Sequence, residues 1–122
     1  MNKLLTLALC LLPATVVAAT DTFVCEYPKY SDKSGNQKVK DKFSLTFVVD
    51  RPKGTAYIIG NQGSAQVKMI ARENGMAFIE ITDSGNVMTT AITSNGESVH
   101  SRNTVIIDSI VASQYYGRCV QK

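Results

Sequence analysis

The chain has a single histidine, His100, and three cysteines, Cys10, Cys25 and Cys119. Nucleophilic catalysis by a triad needs a base beside its nucleophile, so His100 bounds what this sequence can do. Ser98 and Ser101 lie near it. On an extended strand Ser98 shares the face of His100 while Ser101 points away. Cys25 and Cys119 with one histidine fall short of the four ligands of a structural zinc site. The Gly60-Asn61-Gln62-Gly63 turn lacks the following helix and lysine of a phosphate-binding loop. Carboxylates are scattered, with no close pair for acid–base work. No catalytic residue, metal or cofactor is expected, and the chain reads as a non-enzyme.

What remains is recognition. Glu97 to Thr104 is polar on both faces of an expected strand, with His100, Arg102 and Thr104 on one side and Val99, Ser101 and Asn103 on the other. A hairpin around Asn95-Gly96 would bring Thr89, Thr90 and Thr93 alongside. Such a strand lies at a solvated rim, lines a wet cavity, or simply protrudes without a ligand. Read as a binding face, it offers Arg102 as a charged donor fork and His100 as a group that switches near neutral pH. Glu80 shares a face with Met76 and Phe78, so either Phe78 is exposed or Glu80 points inward. Of the neighbours Tyr115 and Tyr116, one must pack in and one face out. An outward tyrosine beside Arg118 would make a contact anchor; the alternative reading is aromatic packing around a disulfide. The longer polar stretch Pro28 to Asp41 carries Lys29, Lys33, Lys38 and Lys40. It reads as a solvated loop, or as a basic flap for an anionic partner such as lipid headgroups or an acidic protein surface.

The elements that position these residues begin after a leader. Met1-Asn2-Lys3, the apolar run Leu4 to Leu12, Pro13 and the small-residue stretch through Ala19 have the anatomy of a secretory signal. Cleavage is expected after Ala19, with Ala18 as the other option. This divides the chain into a leader, 1–19, and one domain, 20–122. The apolar run is shorter than the roughly 20 residues that span a bilayer, and no second such run follows, so no transmembrane anchor is expected. Cys10 leaves with the leader, because Leu9 is not the small residue that lipoprotein processing takes. Without Lys3, 12 basic residues face 10 acidic ones, too even a balance for a dedicated nucleic-acid binder. In an oxidising compartment Cys25 and Cys119 are expected to form a disulfide; free thiols are the competing reading.

Turn signals recur about every 10–13 residues, at Asp50 to Gly54, Gly60 to Gly63, Glu73 to Gly75, Asp83 to Asn86, Ser94 to Gly96 and Asp108-Ser109. Between them Lys42 to Asp50 alternates strictly, with Phe43, Leu45, Phe47 and Val49 on one face. Ser64 to Arg72 does the same with Ala65, Val67, Met69 and Ala71. Thr22 to Tyr27, Thr55 to Ile59, Met76 to Thr82, Val87 to Thr93, Val99 to Ile107 and Tyr115 to Val120 complete about eight short strands. The expected fold is all-β, an antiparallel meander closed into a small barrel, with a two-layer sandwich as the alternative. Closure would make the first and last strands neighbours, and the disulfide would staple them.

The frame Phe23-Val24-Cys25-Glu26-Tyr27 and Ser113-Gln114-Tyr115-Tyr116-Gly117-Arg118-Cys119, with Gly54-Thr55-Ala56-Tyr57 and Val99-His100-Ser101-Arg102, resembles small exported bacterial proteins of uncharacterised activity. At the level of architecture the chain also resembles periplasmic inhibitors of c-type lysozyme, small barrels with an early cysteine linked to a late one. That resemblance implies blocking an enzyme with a loop. The inhibitors carry a Ser-Gly loop followed closely by a lysine and an aromatic. Here Gly63-Ser64-Ala65-Gln66-Val67-Lys68 puts its lysine inside an expected strand, so no inhibitory residue is carried over.

The expectation is therefore a monomeric periplasmic or secreted binding domain. Its partner would be a protein of the cell envelope or the exterior, such as a cell-wall-degrading enzyme or a toxin. The alternative is a carrier for a small ligand held in a barrel cavity. Phe43, Leu45, Phe47, Val67 and Met69 would nearly fill a narrow barrel, so the volume left inside separates the two.

Overall fold

A computed structural model describes residues 13–14 and 19–122. The leader reading, with Cys10 in it, lies almost wholly outside the described residues. The domain is nine antiparallel strands: β1 (Thr20–Asp32), β2 (Gly35–Lys38), β3 (Ser44–Asp50), β4 (Thr55–Gly60), β5 (Gly63–Arg72), β6 (Gly75–Ile81), β7 (Val87–Thr93), β8 (Glu97–Ile106) and β9 (Ser109–Gln121). Each strand from β3 to β8 pairs with the next, β1 pairs with β3, and β1 pairs with β9, so eight strands close a barrel. The sandwich alternative is set aside. Among the described residues, no helix is long and apolar enough to cross a membrane.

The seam is where the cysteines stand. Cys25 is directly opposite Cys119 in the β1–β9 register, and the two are bonded, with Cα atoms 3.9 Å apart. The register slips between Glu26 and Lys29, a bulge that contains Pro28. A bulge is where a strand tolerates a residue without an N–H to donate. It presses the β1 backbone onto Gly117, where an added Cβ would lie 1.9 Å from the Glu26 carbonyl oxygen. Glycine is required there for close approach rather than for a turn.

Strict alternation on β3 fills the interior as expected. Leu45, Phe47 and Val49 are buried, and Phe43 packs against them. Phe47 and Phe78 stack at the centre with ring centroids 4.4 Å apart. Phe23, Tyr27, Ala56, Ile58, Val67 and Ile92 complete the core. Between Phe47, Ile58, Val67 and Phe78 there is no room for a water molecule. Ala71, expected inside, is exposed near the end of β5.

The stretch Pro28 to Asp41 is corrected from a loop to a hairpin. β1 runs on to Asp32 and β2 returns beside it, Lys29 opposite Lys38. Facing lysines oppose this pairing, but other bonds outweigh them. Far β1 is already held by β9 from Lys29 to Asp32. The Ser34 N–H donates to Asp32 Oδ1 at 2.8 Å in the turn, and Tyr30 Oη donates to Gln37 Oε1 at 2.8 Å. Lys29, Lys33, Lys38 and Lys40 all remain exposed on this arm.

Candidate functional site

The β4–β5 turn, the β6–β7 turn and the far end of β1 share one end of the barrel with the β8–β9 turn. There the core stops and a bowl of about 470 Å³ opens. One wall is Phe43, Leu45, Ile58 and the Gly60–Gly63 turn; the other is Glu80, Met88, His100 and Arg102. The register explains the second wall. Glu80 is opposite Met88 and Met88 is opposite Arg102, so the three form one row across β6, β7 and β8. Phe78, Thr90, His100, Tyr115 and Tyr30 form the row beneath. Inward alternation thus settles the Glu80 question: Phe78 is buried and Glu80 turns into the mouth. Desolvation raises the Glu80 carboxyl above its ordinary pKa, and Arg102 partly counters this. The two side chains are not bridged within 4.0 Å, unlike Lys42 and Glu26 on the outer wall at 2.8 Å.

His100 is not a rim residue. It is 3% exposed, and Nδ1 meets Thr90 Oγ1 at 2.8 Å. Its ring packs among Tyr27, Phe43 and Tyr115. Among the described residues Nε2 has no hydrogen-bond partner and is not sealed from solvent, and His100 lines the bowl. Burial, and secondarily the Arg102 charge, lower its pKa to about 4. The expected switch near neutral pH is corrected: the imidazole stays uncharged there. Beneath it Tyr27 Oη and Ser98 Oγ are hydrogen-bonded at 2.9 Å, and burial pushes the Tyr27 phenol up to about 12.

This has a consequence for stability. The unfolded histidine takes its proton near pH 6.5, whereas the folded one refuses it until about pH 4. Below 6.5 the unfolded state binds more protons, so stability falls as pH falls from 6.5 to 4 and is regained on raising it. The expected loss is on the order of 3 kcal/mol. Glu80, with a raised pKa, works in the opposite sense but is only partly buried. Urea unfolding of wild type and His100→Gln at pH 7 and pH 4 tests this. An equal acid loss in both proteins would refute it.

The structure divides the expected binding face into three. His100, Thr90, Arg102 and Tyr115 line the interior and mouth. Tyr115 stacks on Tyr30 with centroids 5.2 Å apart and tilts against Phe43 at 4.7 Å. Thr104 lies on the same face of β8 but higher, opposite Val111. Tyr116 faces out, its hydroxyl donating to Gln114 Oε1 at 2.8 Å. Arg118 is at the other end of the barrel, with Nη2 donating to the Asn95 carbonyl at 2.7 Å. The Asn95-Gly96 turn does not protrude. The Cys119 N–H donates to the Gly96 carbonyl at 2.7 Å and holds it against the seam.

The hairpin that does protrude is at the opposite end of β8. β7 covers β8 only as far as Asn103, and β1 covers β9 only from Ser113. Beyond those points β8 and β9 pair with each other alone, through Val105–Ile110 to a two-residue turn at Ile107-Asp108. Ile107 holds a φ of 55° there, rare for a β-branched residue. Ile107 is 90% exposed, Ile110 73% and Val105 68%, with Ile106 and Val111 also exposed. Ile81 and Val87, on the outer face below, extend the patch. Sequence reading missed this overhang, because β-branched runs suggest burial. The available signal was length: the strands flanking Ile107-Asp108 outrun the segment Val87–Thr93.

A second groove, about 630 Å³, lies outside the barrel along the seam, between Val24, Glu26, Lys42, Arg118 and Val120. Its Glu26 already pairs with Lys42.

Fold and site together define a small disulfide-closed antiparallel barrel with a filled interior, an open polar mouth and an apolar hairpin above it. No protein-family model matches the chain, and no curated protein matches it either.

Proposed function

We propose that this chain is a non-enzymatic exported domain that captures a protein partner with the β8–β9 overhang. The observation that carries this reading is the hairpin itself, with aliphatic side chains on both faces and strand edges left unpaired. The exposed aliphatics make a patch on the order of several hundred Å², as large as the biggest on an ordinary monomer and of the kind that marks a contact surface. Open strand edges add backbone donors and acceptors that a partner strand can take up. A narrow apolar finger on a rigid barrel suits insertion into a cleft, and inhibition of a cell-wall-degrading enzyme is the use it fits best. Immunity to a toxin would use the same contact.

The test is a cell-wall lysis assay with c-type lysozyme and bacterial cell-wall hydrolases at micromolar protein, with size-exclusion analysis of each mixture. Inhibition and a stable complex are expected with one of these enzymes. Ile107→Asp is expected to weaken both at least about tenfold, as loss of a buried interface anchor does. Ile107 is solvent-exposed, so the variant keeps its fold. No inhibition and no complex with any enzyme, or an undiminished Ile107→Asp, would overturn the reading. A small-ligand carrier is the second reading, and the mouth bowl of about 470 Å³ favours it.

A further inference from the structure

The bowl has two opposite charges that the protein leaves apart. Glu80 and Arg102 stand two strands from each other in one row, with Met88 between them. Neighbouring strands are about 4.8 Å apart, so their backbones are separated by about 10 Å. No ion pair forms between them within 4.0 Å. Below and opposite, Phe43, Leu45 and Ile58 make an apolar wall, and His100 lines the space with its Nε2 unbonded among the described residues. A carboxylate turned into a confined mouth without a cation at hydrogen-bond distance is poorly solvated, as its raised pKa reflects.

We propose that the mouth binds a small zwitterion with an apolar body, an amino acid or short peptide. Its carboxylate meets the Arg102 guanidinium and its ammonium meets Glu80. The side chain lies against Phe43, Leu45 and Ile58, and His100 Nε2, uncharged at neutral pH, accepts an N–H from it. Both poles are needed. A purely anionic ligand would bring like charge to Glu80, and a purely cationic one would do so to Arg102. The volume is within the range of ordinary small-molecule sites. The proposal rests on reading the mouth as a ligand cavity and is independent of the hairpin's role, since its contacts lie below the overhang.

The probe is leucyl-leucine, titrated into the ¹⁵N-labelled folded domain and followed by amide chemical shifts. Saturable shifts at Ile58, Glu80, Met88, His100 and Arg102 are expected below a concentration on the order of 10 mM. N-acetyl-leucyl-leucine lacks the ammonium and leucyl-leucinamide lacks the carboxylate. Each is expected to bind about tenfold more weakly or worse, the loss of one charged hydrogen-bonded contact. Arg102→Gln should abolish the penalty for the amide while keeping that for the acetylated form, and Glu80→Gln should do the reverse. Absence of saturable shifts, shifts confined to the outer groove, or equal affinity for the capped dipeptides would overturn the proposal. The capped-ligand comparison uses wild type and stands even if a variant misfolds. Ile107→Asp should bind the dipeptide normally, so failure here and failure of partner capture are separable.

Discussion

Replacing Cys25 and Cys119 together with alanine should lower the unfolding free energy by about 4.5 kcal/mol, as expected for releasing a long loop in the unfolded chain. The bridge spans 94 residues, nearly the whole described domain. The native state changes little, because β1 and β9 are hydrogen-bonded in register on both sides of the cysteines and the barrel stays closed. The effect therefore falls mainly on the unfolded state, which becomes free to expand. Since domains are typically stable by about 5–15 kcal/mol, this would be a large share of the total. Urea denaturation is the measurement, and both a lower midpoint and a steeper slope are expected, since a freer chain exposes more surface on unfolding. A loss under about 1 kcal/mol would mean that the bridge does not constrain the unfolded chain as the loop-entropy account requires.

The seam was legible before the structure because two independent signals met there. Cysteines at the ends of the domain implied a bridge, and a meander of short strands implied edges that needed closing. Alternation in Phe43 to Val49 and in Ala65 to Met69 gave the inner face directly, since period two allows one arrangement on a half-buried strand. The β1–β2 hairpin escaped because its sequence, Lys29 to Lys40, has no apolar alternation and only Tyr30 and Val39 as apolar residues. It is a strand because β9 runs past the barrel and offers an edge to pair with, and nothing local encodes that.

The mouth was legible in part. The polar strand around His100 was picked out as a candidate binding face, and Glu80 as an anomaly that left either Phe78 exposed or Glu80 pointing inward. Their meeting in adjacent rows depends on the register of β6, β7 and β8, which tight turns fix only once each turn's length is known. The burial of His100 could not be read from neighbours as polar as Ser98, Ser101 and Arg102. Tertiary packing supplies it, through the rings of Tyr27, Phe43 and Tyr115. The overhang was hidden for the converse reason: Val105, Ile106, Ile110 and Val111 have the composition of a buried strand and are exposed because their neighbours end too soon.

Phe47→Ala and Phe78→Ala should each cost about 3–5 kcal/mol, the range for deleting a ring from a packed interior. Both side chains are fully buried and stacked on one another at the centre of the barrel. Eight closed strands limit how far the walls can collapse, which favours the upper part of that range. Ile107→Ala is the control: it removes an exposed side chain and should change stability by no more than about 0.5 kcal/mol. A double-mutant cycle on the two rings should give a coupling of about 0.5–1.5 kcal/mol from the stacking contact. Losses below about 1 kcal/mol for either ring would mean a loosely filled interior and would favour the carrier reading over the filled barrel. Phe78 has a further effect because it lies in the row of Thr90 and His100. Removing its ring opens space beside Thr90 and the imidazole and admits water there. The His100 pKa should then rise from about 4 toward its ordinary value, and Phe78→Ala should lose much of the acid sensitivity that His100 confers. A ¹H–¹³C titration of the imidazole in wild type and Phe78→Ala reads this directly, and an unchanged pKa would show that the desolvation of His100 comes from the rings of Tyr27, Phe43 and Tyr115 rather than from Phe78.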